Sequence, residues 1–363
     1  MRKCPIMLNS DLPSIRSGIM PYGDNDDLNR AYGHFHSLAN AGGRSMAFCS
    51  SYDFAGDGTV SGYWVPRNWR WAPVAEPIEA TFVFDKLDEG EPHFRAVIDR
   101  IIELGLPIFG HVGLSRLVGS KWKSYEAFRR YHALTRRIDP ASGPVEEQVS
   151  AFFDLMDETY AEHHEAALLK PDHGWESRGI FMVTRQPRGL ELRHWWGQRI
   201  DDPGFVRHIL GQLARLPYVI QTLVHTYEGI PEIGLAGLRH DARFVFAIKD
   251  HGRVSFIQTY VKTVDHGMIY VHPDSYPAGA WAVVDPVAHR IGELFPYGVF
   301  SVDVMRDISG RWFLTELNDQ VGFNINWHQQ GDFEGVDQLM KAYLEEMHEM
   351  MDNPAQPRYR SPL

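Results

Sequence analysis

Two hydrophobic periods alternate along the chain. Short apolar runs at Pro5 to Leu8, Ser45 to Cys49, Ala80 to Phe84 and Leu106 to Phe109 read as strands. Between them, Asp26 to Ala41 and Pro92 to Leu104 repeat at helical spacing and stop at Gly42-Gly43 and Gly105. Strand and helix in turn predict a small, mostly parallel sheet. Farther on, Ser120 is placed to cap a helix over Gly119 to Arg130, and a long acidic helix is expected from Val145 to Glu165. Strands follow at Ala166 to Lys170, Ile180 to Thr184, Leu190 to Trp196 and Tyr218 to Val224, with a helix over Pro203 to Leu213. The last third predicts a hairpin of Phe244 to Ile248 with Val254 to Val261, turning at Asp250 to Gly252, and a helix from Gly279 to Leu294. A second hairpin runs from Tyr297 to Asn318 and reverses at Ser309-Gly310; a helix over Gly335 to Met351 and a Pro-rich tail close the chain.

That second hairpin carries the most pointed chemistry. Side chains two apart on a strand share a face, so Glu316 and Asn318 point the same way and the hairpin can bring Asp303 opposite them. Such an all-oxygen set suits Mg²⁺. An ordinary hairpin with its polar residues toward water stands as the other reading. Asp241 and Arg243 share a face by the same parity, either as a phosphate clamp oriented by the acid or as a simple ion pair; Lys262 is a second candidate phosphate contact. Lys170 ends a strand before a loop holding Gly174 and Gly179, a place for a phosphate contact or for a solvated lysine. Lys121 stands at a helix start, within reach of a phosphate. Tyr63 to Trp71, rich in aromatics and arginine, reads as an edge loop or as a substrate wall.

Composition removes several alternatives. A net charge of -11 argues against a nonspecific nucleic-acid binder and leaves no polybasic membrane patch. Cys4 and Cys49 lack paired spacing, so neither a disulfide framework nor a zinc site is indicated. No G-x-G-x-x-G or Walker A loop occurs, and His163-His164 lacks the spacing of a zinc helix. The start of the chain is no signal peptide and no long apolar run follows, so a cytoplasmic protein is expected, with a homodimer left open.

Taken in order, these pieces resemble the ATP-grasp superfamily of carboxylate-amine ligases, over roughly Ala80 to Met351. The resemblance rests on Lys121, on Lys170-Pro171 before a loop ending Ser177-Arg178-Gly179-Ile180, and on the strand Ile220-Gln221-Thr222-Leu223-Val224. Asp241-x-Arg243, Asp303 and Glu316-Leu317-Asn318 complete it. It implies an α/β fold of three lobes, over 1–118, 119–217 and 218–363, with ATP between the central and C-terminal lobes. It further implies that Lys121 and Lys170 contact phosphates, that the loop with Ser177, Arg178 and Gly179 closes over them, and that the strand from Gln221 through Thr222, Leu223 and Val224 meets adenine. Glu228 is the implied ribose contact, Asp241 orients Arg243, and Asp303, Glu316 and Asn318 hold Mg²⁺. Arg243 and Lys262 would stabilise the transferred phosphoryl group. Trp175 and Glu176 depart from the small residues usual in the loop, and the first 80 residues match no known pattern.

The implied activity is formation of an amide bond from a small carboxylate and an amine, free or carried on a peptide or carrier, through an acyl phosphate. A closing loop would exclude water. Two alternatives stay open: a kinase of the same architecture, and an ATP-binding scaffold without catalysis.

Overall fold

The structure, a computed structural model, describes residues 1–67, 70–88, 90–160, 166–173, 179–186, 189–194, 217–226, 228–263, 267–323 and 334–355. Its strands form three main sheets. The first is seven-stranded, and its centre is parallel: Arg2–Asn9 lies between Ala47–Cys49 and Ile78–Lys86, and Ile108–Phe109 pairs with the far side of Ile78–Lys86. Its central strands are apolar at consecutive positions, with Ile6, Met7 and Leu8 all 0% exposed, because both faces are covered. The helix Asp26–Ala41, capped by Asn25, sets Tyr32 and Phe35 against Met7, Phe48 and Phe84; Pro92–Glu103 sets Phe94, Ile98 and Ile101 against Ile6 and Leu8 on the other face.

The parallel expectation holds at the centre and gives way at the edges, where antiparallel strands are added. One addition corrects the reading of Tyr63 to Trp71 as a loop. Tyr63–Arg67 and Arg70–Val74 form a hairpin whose indoles are structural: Trp64 Nε1 donates to the Pro13 carbonyl at 2.8 Å, and Trp71 Nε1 to Asn29 Oδ1 at 2.7 Å. A buried indole needs an acceptor, and both find one within the lobe. Trp69 lies outside the described residues.

The second sheet is five-stranded and antiparallel, in the order Gly189–His194, Phe181–Gln186, Ala166–Pro171, Tyr218–Thr222, Thr135–Ile138. The helix Val145–Tyr160 buries Val149, Phe152, Phe153 and Met156 against Ala167, Leu169 and Ile220. Tyr218–Thr222, grouped by sequence with the last lobe, is hydrogen-bonded into this sheet. The helix expected over Pro203 to Leu213 lies outside the described residues, as do His163 and His164.

The third sheet, also five-stranded, runs Gly267–Tyr270, Val254–Thr263, His240–Ile248, Gly298–Arg306, Trp312–Asn318, all antiparallel. One face is apolar and packs Phe244, Phe246, Val302 and Val304 under Val283, Val284, Val287 and Ile291 of the helix Ala278–Leu294. The other face carries the polar residues singled out in the sequence. Beyond Asn318 the chain is fastened to the first lobe. Gln320 Nε2 donates to the Leu87 carbonyl at 2.8 Å, Lys86 Nζ to the Val321 carbonyl at 3.2 Å, and Phe323 stacks on Phe35 with ring centroids 4.8 Å apart. The helix Glu334–Asp352 adds Met340, Tyr343 and Met347 to the same core. Among the described residues, no helix is long and apolar enough to cross a membrane.

Candidate active site

The hairpin forms because Gly310, at φ 86°, accepts the left-handed turn, and Asp307 Oδ1 takes the backbone N–H groups of Ser309 and Arg311 at 2.9 Å. Its register sets Asp303 opposite Glu316 and Ser301 opposite Asn318, as parity requires. A bulge follows Asp303 on the ladder, and Thr315 Oγ1 donates to the Asp303 carbonyl at 3.0 Å.

Asp303 is 0% exposed and lies opposite Arg243 on the neighbouring strand. The guanidinium grips it bidentately, Nε to Oδ1 at 2.7 Å and Nη2 to Oδ2 at 2.6 Å. Ser301 Oγ also donates to Oδ1, at 3.2 Å, and Lys262 Nζ reaches Oδ2 of Asp303 and Oδ2 of Asp241, each at 3.1 Å. Burial would raise the Asp303 pKa, but Arg243 and Lys262 outweigh it and hold the carboxyl below its usual range. Burial opposes the charges of Arg243 and Lys262 too, yet the carboxylates win and both cations are held more firmly protonated than usual. Asp241 goes the other way: burial raises its pKa, with Lys262 only partly offsetting it. The sequence placed Asp241 beside Arg243 as its orienter. In the structure Asp303 orients the arginine, and Asp241 pairs with Lys262 across the strands.

Across a narrow gap stands the second sheet. Lys170, at the end of its strand, donates from Nζ to Gln221 Oε1 at 2.7 Å, and Gln221 Nε2 in turn donates to Thr135 Oγ1 at 3.0 Å. Lys170, Lys121, Gln221, Thr135, His132 and Glu316 border one cavity of about 10 Å³. That is room for a single water, whereas a drug-sized ligand takes about 300 Å³ or more. A nucleotide therefore enters only if the second and third sheets part. Burial pushes Lys170 down to about 8, helped by Lys121 and opposed by Glu316 and Asp241. Burial likewise pushes His132 down to about 3 and keeps it neutral, with Ser124 Oγ 3.2 Å from Nε2.

Lys121 begins the helix Lys121–Phe128, which Ser120 caps as expected, through the Lys123 N–H at 3.2 Å. Asp172 locks this helix start to the end of the Lys170 strand by accepting from Ser120 Oγ at 2.9 Å and from the Trp122 N–H at 2.8 Å. Gly179 has a φ of 72°, and its carbonyl accepts from Tyr218 OH at 3.3 Å. Ser177 and Arg178 lie outside the described residues. Thr222 ends its strand with its N–H on the Leu134 carbonyl at 2.9 Å, and its Oγ1 is buried without a partner. Leu223 and Val224 follow half-buried, while Glu228 is exposed and does not border the cavity.

A divalent cation can be tested against this donor set. Among the described residues, Glu316 makes no hydrogen bond or ion pair, and Asp241 Oδ1 and Asn318 Nδ2 are buried without partners. Glu316 thus fits a hard cation with capacity to spare, whereas the orphaned Asn318 Nδ2 is a donor and ligates none; among the described residues no three His, Cys, Asp or Glu groups converge as a metal set. Asp303 already receives two bonds at each oxygen, so it can take a metal only by releasing Lys262 or Ser301. Ser301, Thr315 and Tyr260, whose OH lies 3.5 Å from Arg243 Nη1, were missed in the sequence, although Ser301 was within reach by parity with Asp303. His132 and Thr135 carried no local signal.

No family model and no curated protein matches the chain. Solved structures do. The D-cycloserine synthetase DcsG is similar with a TM-score of 0.56 at 12% identity, covering 94% of this chain and 99% of that one. D-alanyl-alanine synthetase A from Vibrio cholerae O1 biovar eltor gives 0.55 at 11%, covering 96% and 100%. VanG D-Ala:D-Ser ligase from Enterococcus faecalis gives 0.54 at 11%, covering 97% and 98%. At such identities the likeness is one of fold, and that fold is the ATP-grasp fold.

Proposed function

We propose that the protein is an ATP-dependent carboxylate-amine ligase, forming an amide bond from a small acid and an amine, one of the two an amino acid or small peptide. The observation that supports this most is the meeting of the two sheets at Glu316: it borders one cavity with Lys170 and Lys121, stands opposite Asp303 in the hairpin whose carboxylate fixes Arg243 and Lys262, and with Asp241 acts on the Lys170 charge. The likeness in fold to two synthetases and to a D-Ala:D-Ser ligase agrees with it. We retain three lobes and the site residues above as part of the same proposal, with the boundary drawn from sequence at 217/218 moved past Thr222, since Tyr218–Thr222 pairs within the second sheet.

In this reading Lys121 and Lys170 bind the phosphates of ATP from the second sheet, and Ser177, Arg178 and Gly179 belong to the covering loop. Gln221, Thr222, Leu223 and Val224 border the adenine, and Glu228 meets the ribose once the lobes rearrange. Mg²⁺, held by Glu316, Asn318 and Asp303, would neutralise charge on the phosphates. The acid's carboxylate attacks the γ-phosphorus and ADP departs; the amine then attacks the acyl carbon and phosphate departs. Arg243, positioned by Asp303, donates to the developing negative oxygens, with Lys262 beside it. Closing the gap excludes water, which would otherwise hydrolyse the acyl phosphate.

The test is release of ADP and phosphate from Mg-ATP with a pool of amino acids and small acids, beside Glu316→Ala. Joint release only when acid and amine are both present supports ligation. ADP with a stable phosphorylated product and no free phosphate would instead mean a kinase.

A further inference from the structure

Next to the gap, sharing Thr135 with its cavity, lies a second cavity of about 490 Å³. It opens between the helix Lys121–Phe128, the strand Thr135–Ile138 and the helix Val145–Tyr160. Trp122, Tyr125 and Leu155 give it apolar walls; Arg129, Arg136 and Glu126 give it charge.

Basic residues gather on this face. Lys123, Arg129, Arg130, Arg136 and Arg137 are all exposed, and none makes an ion pair among the described residues. In a chain with 47 acids against 36 bases, the stretch from Lys123 to Arg137 sets these cations against the single carboxylate of Glu126, a local field of the opposite sign, with Arg129 and Arg136 on the cavity itself. Two of these arginines are held over rings: Arg129 lies 5.9 Å from the Tyr125 ring centroid and Arg130 4.7 Å from that of Tyr131.

The strand beneath supplies a second, independent feature. Among the described residues Thr135–Ile138 is an edge strand, paired with Tyr218–Thr222, and alternate residues of an edge strand turn their N–H and C=O away from the sheet. Its ends are closed by side chains: Tyr160 OH takes the Leu134 N–H and Gln148 Oε1 the Asp139 N–H, both at 2.9 Å. Arg136 and Arg137 lie between these stops. An open edge beside an aromatic cavity with unpaired guanidinium groups suits an extended chain that brings its own hydrogen bonds and carboxylates.

We propose that this face docks an acidic peptide segment in extended conformation, added as a strand to the edge Thr135–Ile138, with an apolar side chain in the cavity and carboxylates on Arg129 and Arg136. Docking of this kind is separate from ligation and needs no ATP. If the protein is a ligase, a segment held here raises the local concentration of whatever substrate it carries.

The experiment is selection of displayed random peptides of about ten residues, enough for a strand and its flanks, against the full-length protein without nucleotide. Fluorescence anisotropy of the enriched peptides then follows, on wild type and on Arg129→Glu/Arg136→Glu, whose positions are exposed. The expected result is acidic peptides with apolar residues at alternate positions. Their affinity should fall at least about tenfold in the double variant, and fall again when proline replaces residues on the ladder side. Failure to enrich acidic peptides, or equal binding by the double variant, overturns the proposal. So does a short single-stranded DNA that binds wild type as tightly with the same sensitivity to the variant. Each readout is independent of ADP release, so loss of the ligase reading would leave this result standing.

Discussion

The two walls of the central gap hold their charges in opposite ways. On the third sheet, Asp303, Arg243, Lys262 and Asp241 compensate one another, and every oxygen of Asp303 is engaged. On the second sheet, Lys170 rests on a neutral amide, with Lys121 nearby and only Glu316 and Asp241 to attract it. The first wall is organised before any ligand arrives; in the second, Lys170 leans on a neutral amide and is pushed toward losing its proton. Pre-organised dipoles and charges suit transition-state stabilisation, since nothing need reorient during reaction, whereas an under-compensated lysine favours ground-state capture of phosphate.

The comparison is tested most severely at Asp303. Asp303→Asn keeps the shape but leaves Arg243 and Lys262 buried against a neutral amide, and it should destabilise the fold by about 3–5 kcal/mol in urea unfolding while abolishing ADP release. A loss below about 1 kcal/mol would show that the network is not the buried, compensated cluster described. A smaller effect on stability and a selective one on binding are expected at Lys170. Lys170→Met removes an uncompensated buried charge, so stability should hold or rise, while ATP affinity falls at least about tenfold in isothermal titration calorimetry. Unchanged affinity would remove Lys170 from the phosphate site.

The same lysine gives a pH signature. Its folded pKa of about 8 lies below its ordinary 10.5, so the folded state sheds the proton first. Its unfavourable contribution to stability is complete below pH 8 and is relieved as pH rises from about 8 to 10.5, because the unfolded chain then binds more protons. ATP affinity should move the other way, falling as pH passes 8 in wild type and staying flat in Lys170→Arg. The smallest effect belongs to the shared support of the second wall. Ser120→Ala removes the helix cap under Lys121 and its bond to Asp172, at a cost of about 1 kcal/mol, read as a lower midpoint in thermal unfolding.

Much of the third sheet was legible because strand parity is a local rule. The Tyr297 to Asn318 hairpin, its turn, and the shared face of Asp303, Glu316 and Asn318 all followed from alternation. The Tyr63 to Trp71 stretch was not, since aromatic and arginine content says nothing about pairing, and its tryptophans found acceptors on Pro13 and Asn29, far off in sequence. Tyr218–Thr222 was recognised as a strand but grouped with the wrong neighbours, because a buried apolar strand carries no mark of which sheet it joins. His132 entered the cavity wall without warning, brought there by packing alone.

By itself, then, the sequence determined the elements and which residues share a face, since helix and strand periods and turn chemistry act over a few residues. Only the tertiary structure decided that Asp303 rather than Asp241 fixes Arg243, that Lys170 is buried enough to lose its proton near pH 8, and that Thr135–Ile138 is the last strand of its sheet among the described residues. These depend on strand order and on dehydration by distant segments, and both are set by how the whole chain packs.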